Sequence, residues 1–353
     1  MTTRRRFLTH SIGAIAGAYC LRSLPAFGQS SPYLYFDLHS HPGMFVAKGV
    51  SENVDAAVAK TIDEMNKGGL TGAFFSMVAD APIIKTGANG IEPNGSYKPG
   101  EAWKEYKRQL GILKDYIKSM PVTFASKASD LHTAQQQHKV AAYIGCEGGD
   151  FLEGKADRLD EMYSEGVRSI QLVHYHTNEL GNLQTQDPQY EGGLSASGKE
   201  VVRKMNQLGM VIDVAHAAES TVKAVVDITD SPVILSHSIL RVDDSRPLAR
   251  RAITPGHAKL ITKNGGVIGA WPSGFSTSFD DFIDNVKRTI DVVGVDHMGL
   301  GTDMDGNFKP VISSYLQLPQ WADALKKKGF TEEEVKKIVG GNVERVLNKV
   351  LRK

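Results

Sequence analysis

In the stretch FDLHSHPG two histidines separated by one residue, His39 and His41, close the apolar run YLYF. In a strand, residues i and i+2 point to the same face, so both imidazoles reach one point in space. Other apolar runs end the same way. Glu147 follows YIGC, His174 follows RSIQLV, His216 follows MVIDVA, His237 sits in PVILSHS and Asp303 closes HMGLGTD. Each of these residues alone is explained by an ordinary hydrogen bond at a strand end. Chance would scatter the 11 histidines through helices and loops as often as here, so the joint pattern points to chemistry.

Four imidazoles and a carboxylate suit zinc or a similar borderline divalent ion. Five such ligands overfill one tetrahedral site that keeps a water position, but they suit two metals sharing a bridging carboxylate. Of the carboxylates at these strand ends, Glu147 is the candidate bridge. Water held by two cations loses a proton near neutral pH and becomes a usable nucleophile. Asp303 then takes that proton and hands it to the leaving group. His174, surplus as a ligand, is placed to polarise a carbonyl or stabilise the developing oxyanion.

These side chains need a scaffold that gathers distant strand ends. Apolar runs of strand length fall at 33–39, 71–78, 139–146, 168–174, 210–216, 232–238, 266–271 and 297–303. Between them lie amphipathic stretches such as NVDAAVAKTIDEMNK, GKEVVRKMNQLG and FIDNVKRTIDVVG, with apolar residues recurring at three and four. Continuous apolar strands alternating with helices imply a parallel sheet covered on both faces. Eight units predict a closed (β/α)8 TIM barrel, though an open doubly wound sheet shares the local pattern. In a barrel all the C-terminal strand ends lie on one rim, where active sites are built. The segment 80–100, rich in Gly, Pro and Asn, reads as a long loop. The tail from Thr331 reads as a capped helical region on the barrel exterior.

The 353 residues, 41% hydrophobic and 23% charged, accommodate one such barrel, and a formal charge of +1 gives no electrostatic footprint for nucleic acid. The N-terminus differs. A basic TRRRFL head, a short Gly/Ala-rich apolar stretch and a small-residue exit describe an export signal rather than a spanning helix. It resembles the twin-arginine signal, which implies passage to the bacterial periplasm. The expected organisation is a signal peptide over residues 1–28 and a single barrel domain over 29–353, with no stable membrane insertion after cleavage. Loss of Arg4, Arg5, Arg6 and Arg22, with no acidic residue, would take the charge from +1 to about −3. Cys20 would leave with the signal, so Cys146 would stand alone and no intrachain disulfide could form.

The blocks DLHSHP, IGCEGGDFL, IQLVHYHTNELGN, GMVIDVAH, PVILSHS, DVVGVDHMGLGTDMDG and IVGGNVERVL together resemble the membrane (renal) dipeptidase family of zinc peptidases. The resemblance implies an amidohydrolase-type barrel with two Zn2+ ions that hydrolyses dipeptides, some with a D-residue at the carboxyl end. It implies His39, His41, Glu147, His216 and His237 as metal ligands, His174 as a substrate contact and Asp303 as the catalytic acid/base. It also implies an arginine after the sixth strand that holds the substrate carboxylate; Arg251 is the best match, with Arg246 and Arg250 as alternatives. Two departures stand out. The family pattern at the first strand is HxD, where this chain has His39-Ser40-His41, and GAWPSGF replaces an Asn-Phe-Tyr-like segment at the seventh. They leave room for N-acyl amino acids or small cyclic amides as substrates. A non-catalytic metal- or solute-binding barrel is disfavoured by the presence of Asp303. The expected partner is a small-molecule substrate, and a homodimer stays open.

Overall fold

The structure, a computed structural model, describes residues 32–87 and 90–351. The expected export segment and Cys20 lie outside them. The described strands are β1 (Tyr35–Ser40), β2 (Leu70–Val78), β3 (Ile84–Gly87), β4 (Gly90–Pro93), β5 (Val122–Ala125), β6 (Val140–Glu147), β7 (Val167–Gln171), β8 (Val211–Asp213), β9 (Ile234–Ser238), β10 (Val267–Ala270) and β11 (Met298–Leu300).

Eight of these form a closed parallel barrel in the order β1, β2, β6, β7, β8, β9, β10, β11, with β11 pairing back onto β1. The eight correspond one for one to the apolar runs of the sequence. Every residue of β1, β2 and β6 is buried, as strands covered on both faces must be. The helix Phe279–Val293 shows how the outer ring is made. It buries Phe282, Ile283, Val286, Ile290 and Val293 on one face, and Ser278 caps it by accepting from Asp281 N–H.

Two features depart from the sequence expectation. β5 is a ninth parallel strand, paired with the N-terminal half of β6 and outside the barrel circuit. The segment 80–100 is not a featureless loop, since β3 and β4 form an exposed antiparallel hairpin within it. The tail does carry the expected capping box at Thr331 and Glu334, but it divides into two helices, Glu332–Lys336 and Asn342–Val350, around a wider turn at 337–341.

Several barrel strands are shorter than their apolar runs. β7, β8 and β11 stop at Gln171, Asp213 and Leu300, so His174, His216 and Asp303 sit on the first loop residues beyond them. Two buried carboxylates hold those loops in place. Asp37 accepts from the backbone N–H of His39 and Thr302 and from the hydroxyls of Thr302 and Tyr315. Asp213 accepts from the N–H of Ala215 and Ser236. At Gly301 a Cβ would come within 1.7 Å of the Ser236 carbonyl oxygen, so only glycine allows this rim to close beside His237.

Candidate metal centre

The rim gathers His39 and His41 from the end of β1, Glu147 from β6, His174, His216 and Asp303 from the following loops, and His237 from β9. All are buried. His216 and Asp303 hold left-handed backbone, with φ of 63° and 52°. Non-glycine residues rarely adopt this conformation, and it is concentrated at sites where the surroundings fix a side chain's aim. Here the Asp213 bonds fix the loop before His216. Asp303 N–H donates to His39 O at 3.0 Å and so ties the last loop to the first strand.

Glu147 is the centre of the cluster. Its Oε1 lies 3.3 Å from His39 Nε2, 3.3 Å from His174 Nε2, 3.4 Å from His216 Nε2 and 3.7 Å from His237 Nε2. Its Oε2 lies 3.1 Å from His41 Nε2, which is in turn 3.4 Å from Asp303 Oδ1. The His39 and His41 Nε2 atoms are 3.1 Å apart, and those of His216 and His237 are 3.0 Å apart. Three overlapping ligand groups result: His39, His41 and Asp303; His39, Glu147 and His237; and Glu147, His174 and His216.

The donor set fits divalent cations. Around a tetrahedral ion with ligands at about 2.0–2.1 Å, neighbouring donor atoms lie roughly 3.3–3.4 Å apart, close to the spacings found here. The outward nitrogens are also held. His41 Nδ1 bonds the Ser76 carbonyl at 2.8 Å, which leaves its Nε2 lone pair facing inward. His237 Nδ1 lies 3.0 Å from Ser236 Oγ, and His39 Nδ1 lies 3.4 Å from the hydroxyls of both Ser76 and Ser236. His216 Nδ1 has no partner.

Electrostatics follow from this crowding. Burial alone would raise Glu147, but the imidazoles, His174 and His39 foremost, hold it well below the usual carboxylate range. Burial, reinforced by Arg251 for His216 and by His39 for His237, pushes both of these imidazoles well below their ordinary value. Burial would also lower His41, yet its bonds to Asp303 and Glu147 outweigh that and raise it to about 10. One proton between two carboxylates stands where a divalent cation would neutralise them better.

His174 faces Glu147 through Nε2 while its Nδ1 lies 2.6 Å from Asp80 Oδ1. The second oxygen of Asp80 accepts from the N–H of Tyr175 and His176. Of the three candidate arginines, only Arg251 is brought to the cluster. The turn Ala249–Arg251, entered through Leu248 at φ 61°, turns it inward. Its Nη1 donates to Gln184 Oε1 at 3.0 Å and its Nη2 lies 3.4 Å from His237 Nε2. It also bonds Tyr175, and its Nε has no partner. Arg246 instead pairs with Asp281, and Arg250 reaches the Thr185 carbonyl. Trp271 packs edge-on against His237 and under Arg251, with its indole N–H unpartnered. Asp305 supports the rim, accepting from Gly43 N–H and Thr61 Oγ1.

Sequence reasoning missed Asp80, Ser76, Ser236, Tyr175 and Gln184. Asp80 had a usable signal, since it closes the apolar run of β2 just as Glu147 closes that of β6. The hydroxyls of Ser76 and Ser236 both reach His39 on another strand, and Gln184 meets Arg251 across 67 residues, so these contacts do not follow from local spacing.

A model of the membrane dipeptidase family, peptidase family M19, matches residues 32–352. The dipeptidase verJ of Clonostachys rogersoniana is 26% identical over 330 residues, covering 89% of this chain and 83% of its own. The dipeptidase tcpJ of Claviceps purpurea is 31% identical over 255 residues, covering 69% of this chain and 59% of its own. Among solved structures, the dipeptidase AC, a metallo peptidase of family M19, superposes with a TM-score of 0.77 at 20% identity over 92% of this chain and all of that one. A metallo peptidase from Rhodobacter sphaeroides, liganded with a phosphinate mimic of the dipeptide L-Ala-D-Ala, gives 0.75 at 20% identity, covering 91% of this chain and 100% of its own. At these identities the two structures speak for the fold.

Proposed function

The chain belongs to the membrane dipeptidase family, peptidase family M19, and on that premise we propose that it is a binuclear zinc dipeptidase, exported to the periplasm, that hydrolyses dipeptides including those with a carboxyl-terminal D-residue. The observation that carries the reading is Glu147, whose two oxygens face His41 on one side and His39, His174, His216 and His237 on the other. A bridging carboxylate between two ions has this surrounding. His39 and His41 would hold the first ion and His216 and His237 the second, with Glu147 shared and Asp303 beside the first.

A divalent pair there would supply Lewis acidity and a water made nucleophilic near neutral pH. The remaining steps fall to the chain's own groups. Arg251 is a buried guanidinium none of whose hydrogen-bond partners is a carboxylate, so it is suited to receive the substrate's terminal carboxylate. His174, oriented by Asp80, would donate from Nε2 to the oxygen of the scissile carbonyl as charge develops there. Asp303 would accept the proton of the attacking water at a carboxylate oxygen and deliver it to the leaving amine. All three are buried at the barrel rim.

Trp271 favours a second substrate class. Its indole stands beside His237 and Arg251, where the family usually has an Asn-Phe-Tyr-like segment, and a changed lining there suits an N-acyl amino acid or small cyclic amide. Hydrolysis assays of metal-replete protein on L,L and L,D dipeptides alongside acyl amino acids separate the two. We expect the dipeptides to be turned over faster. No cleavage of any dipeptide would remove the peptidase reading.

A further inference from the structure

Arg251 and the second metal position compete for the same lone pair. His237 turns Nδ1 toward Ser236 Oγ, so its free lone pair is on Nε2, and Arg251 Nη2 approaches that atom at 3.4 Å. His216 Nε2, 3.0 Å away, converges on the same place. A cation arriving between His216 and His237 therefore meets a fixed positive charge beside one ligand. Its other imidazole, His216, has no partner on Nδ1 to orient it or raise its basicity. The first position differs on each count. It has two carboxylates, Glu147 and Asp303, and an imidazole anchored to the Ser76 carbonyl.

The guanidinium is also loosely held. Its anchors are one amide oxygen, one phenol and the histidine itself, and Nε is buried without a partner. A carboxylate would satisfy it better than any of these.

Resting on the two-metal reading, we propose that Arg251 links substrate to metal loading: seated on His237 it weakens the second metal position, and a ligand carboxylate that draws the guanidinium away strengthens it. The two positions then fill in order, with the His39/His41/Asp303 side first. Coupling of this kind is reciprocal, so the second ion also tightens carboxylate binding by the same factor.

The test is stepwise Zn2+ titration of the metal-free full chain against a chromophoric chelator, with and without saturating isocaproate, a carboxylate that lacks an amide. Wild type, Arg251→Met and Gln184→Leu are compared. In wild type the second equivalent should bind more weakly than the first and tighten about tenfold with isocaproate. In Arg251→Met it should already be tight and indifferent to isocaproate, with the first equivalent unchanged. Gln184→Leu, which removes an anchor of the guanidinium and leaves its charge, should shift the second equivalent while sparing the first, and it serves if Arg251→Met does not fold. The coupling is overturned if Arg251→Met binds the second equivalent as wild type does. It is also overturned if isocaproate tightens both proteins equally, because the carboxylate would then be acting on the metal directly. A single equivalent in every protein and condition would instead overturn the two-metal reading beneath it.

Discussion

Asp80 Oδ1 and His174 Nδ1 lie 2.6 Å apart although 94 residues separate them in sequence. The contact fixes the ring so that Nε2 faces Glu147 and the centre of the rim. Asp80 therefore acts through His174, as an orienting carboxylate acts on a catalytic imidazole. Asp80→Asn should lower kcat on the order of 10²-fold, the loss typical of a misplaced oxyanion donor, with metal content unchanged. Steady-state kinetics together with elemental analysis check this. Loss of metal instead would make Asp80 part of the ligand scaffold.

Asp303 Oδ1 lies 3.4 Å from His41 Nε2 at the barrel rim. Asp303→Asn keeps the shape and removes the base. We expect kcat to fall by about 10²–10⁴-fold. His39, His41 and Glu147 remain, so metal should be retained. Activity near wild type would assign the proton transfer to another group.

Gly306 gives a subtler test. A Cβ there would lie 2.7 Å from Asp303 Oδ1 and 2.9 Å from His41 Cδ2, while its backbone is not in the left-handed region. Gly306→Ala should fold normally yet displace one of these two side chains. A displacement of about 1 Å in a reacting group can cost 10²-fold in rate. The expected result is a large loss in kcat with a thermal midpoint close to wild type.

The metal-free protein should show a pH signature from His41. Its folded value of about 10 lies above the ordinary histidine value of 6.5, so the stability it contributes is complete below pH 6.5 and is lost as pH rises toward 10. His174 and His176, also raised, act in the same direction. His216 and His237 are lowered and act with the opposite sign, but only below pH 6.5. On the proposed reading bound metal would replace the His41 proton, so the gap in thermal midpoint between metal-loaded and chelated protein should widen from pH 7 to 9.5. In His41→Asn, the decline of the chelated protein over that range should be shallower. An equal decline would remove His41 as its source.

Much of the fold was legible because each barrel strand is a continuous apolar run, a pattern that burial on both faces imposes. β5 escaped because it has only four residues, two of which, Thr123 and Phe124, are not buried, so it lacks that pattern. The β3–β4 hairpin escaped for a similar reason: its residues are largely solvent-facing and show no apolar alternation. The candidate site was legible wherever a polar residue ended a run, which is how Glu147, His216 and His237 were found. It was not legible where a loop's path decides. The sequence makes Arg251 the best match for the carboxylate-holding arginine but leaves Arg246 and Arg250 as alternatives, and only the turn after Leu248 sends Arg251 to the histidines and leaves Arg246 on Asp281.

The central claim is that Glu147 bridges two cations. Crystals of the zinc-loaded protein, measured on either side of the zinc absorption edge, test it directly. We expect two anomalous peaks about 3.5–4 Å apart, one against His39, His41 and Glu147 and the other against Glu147, His216 and His237. A single peak, or none within reach of Glu147, would contradict it.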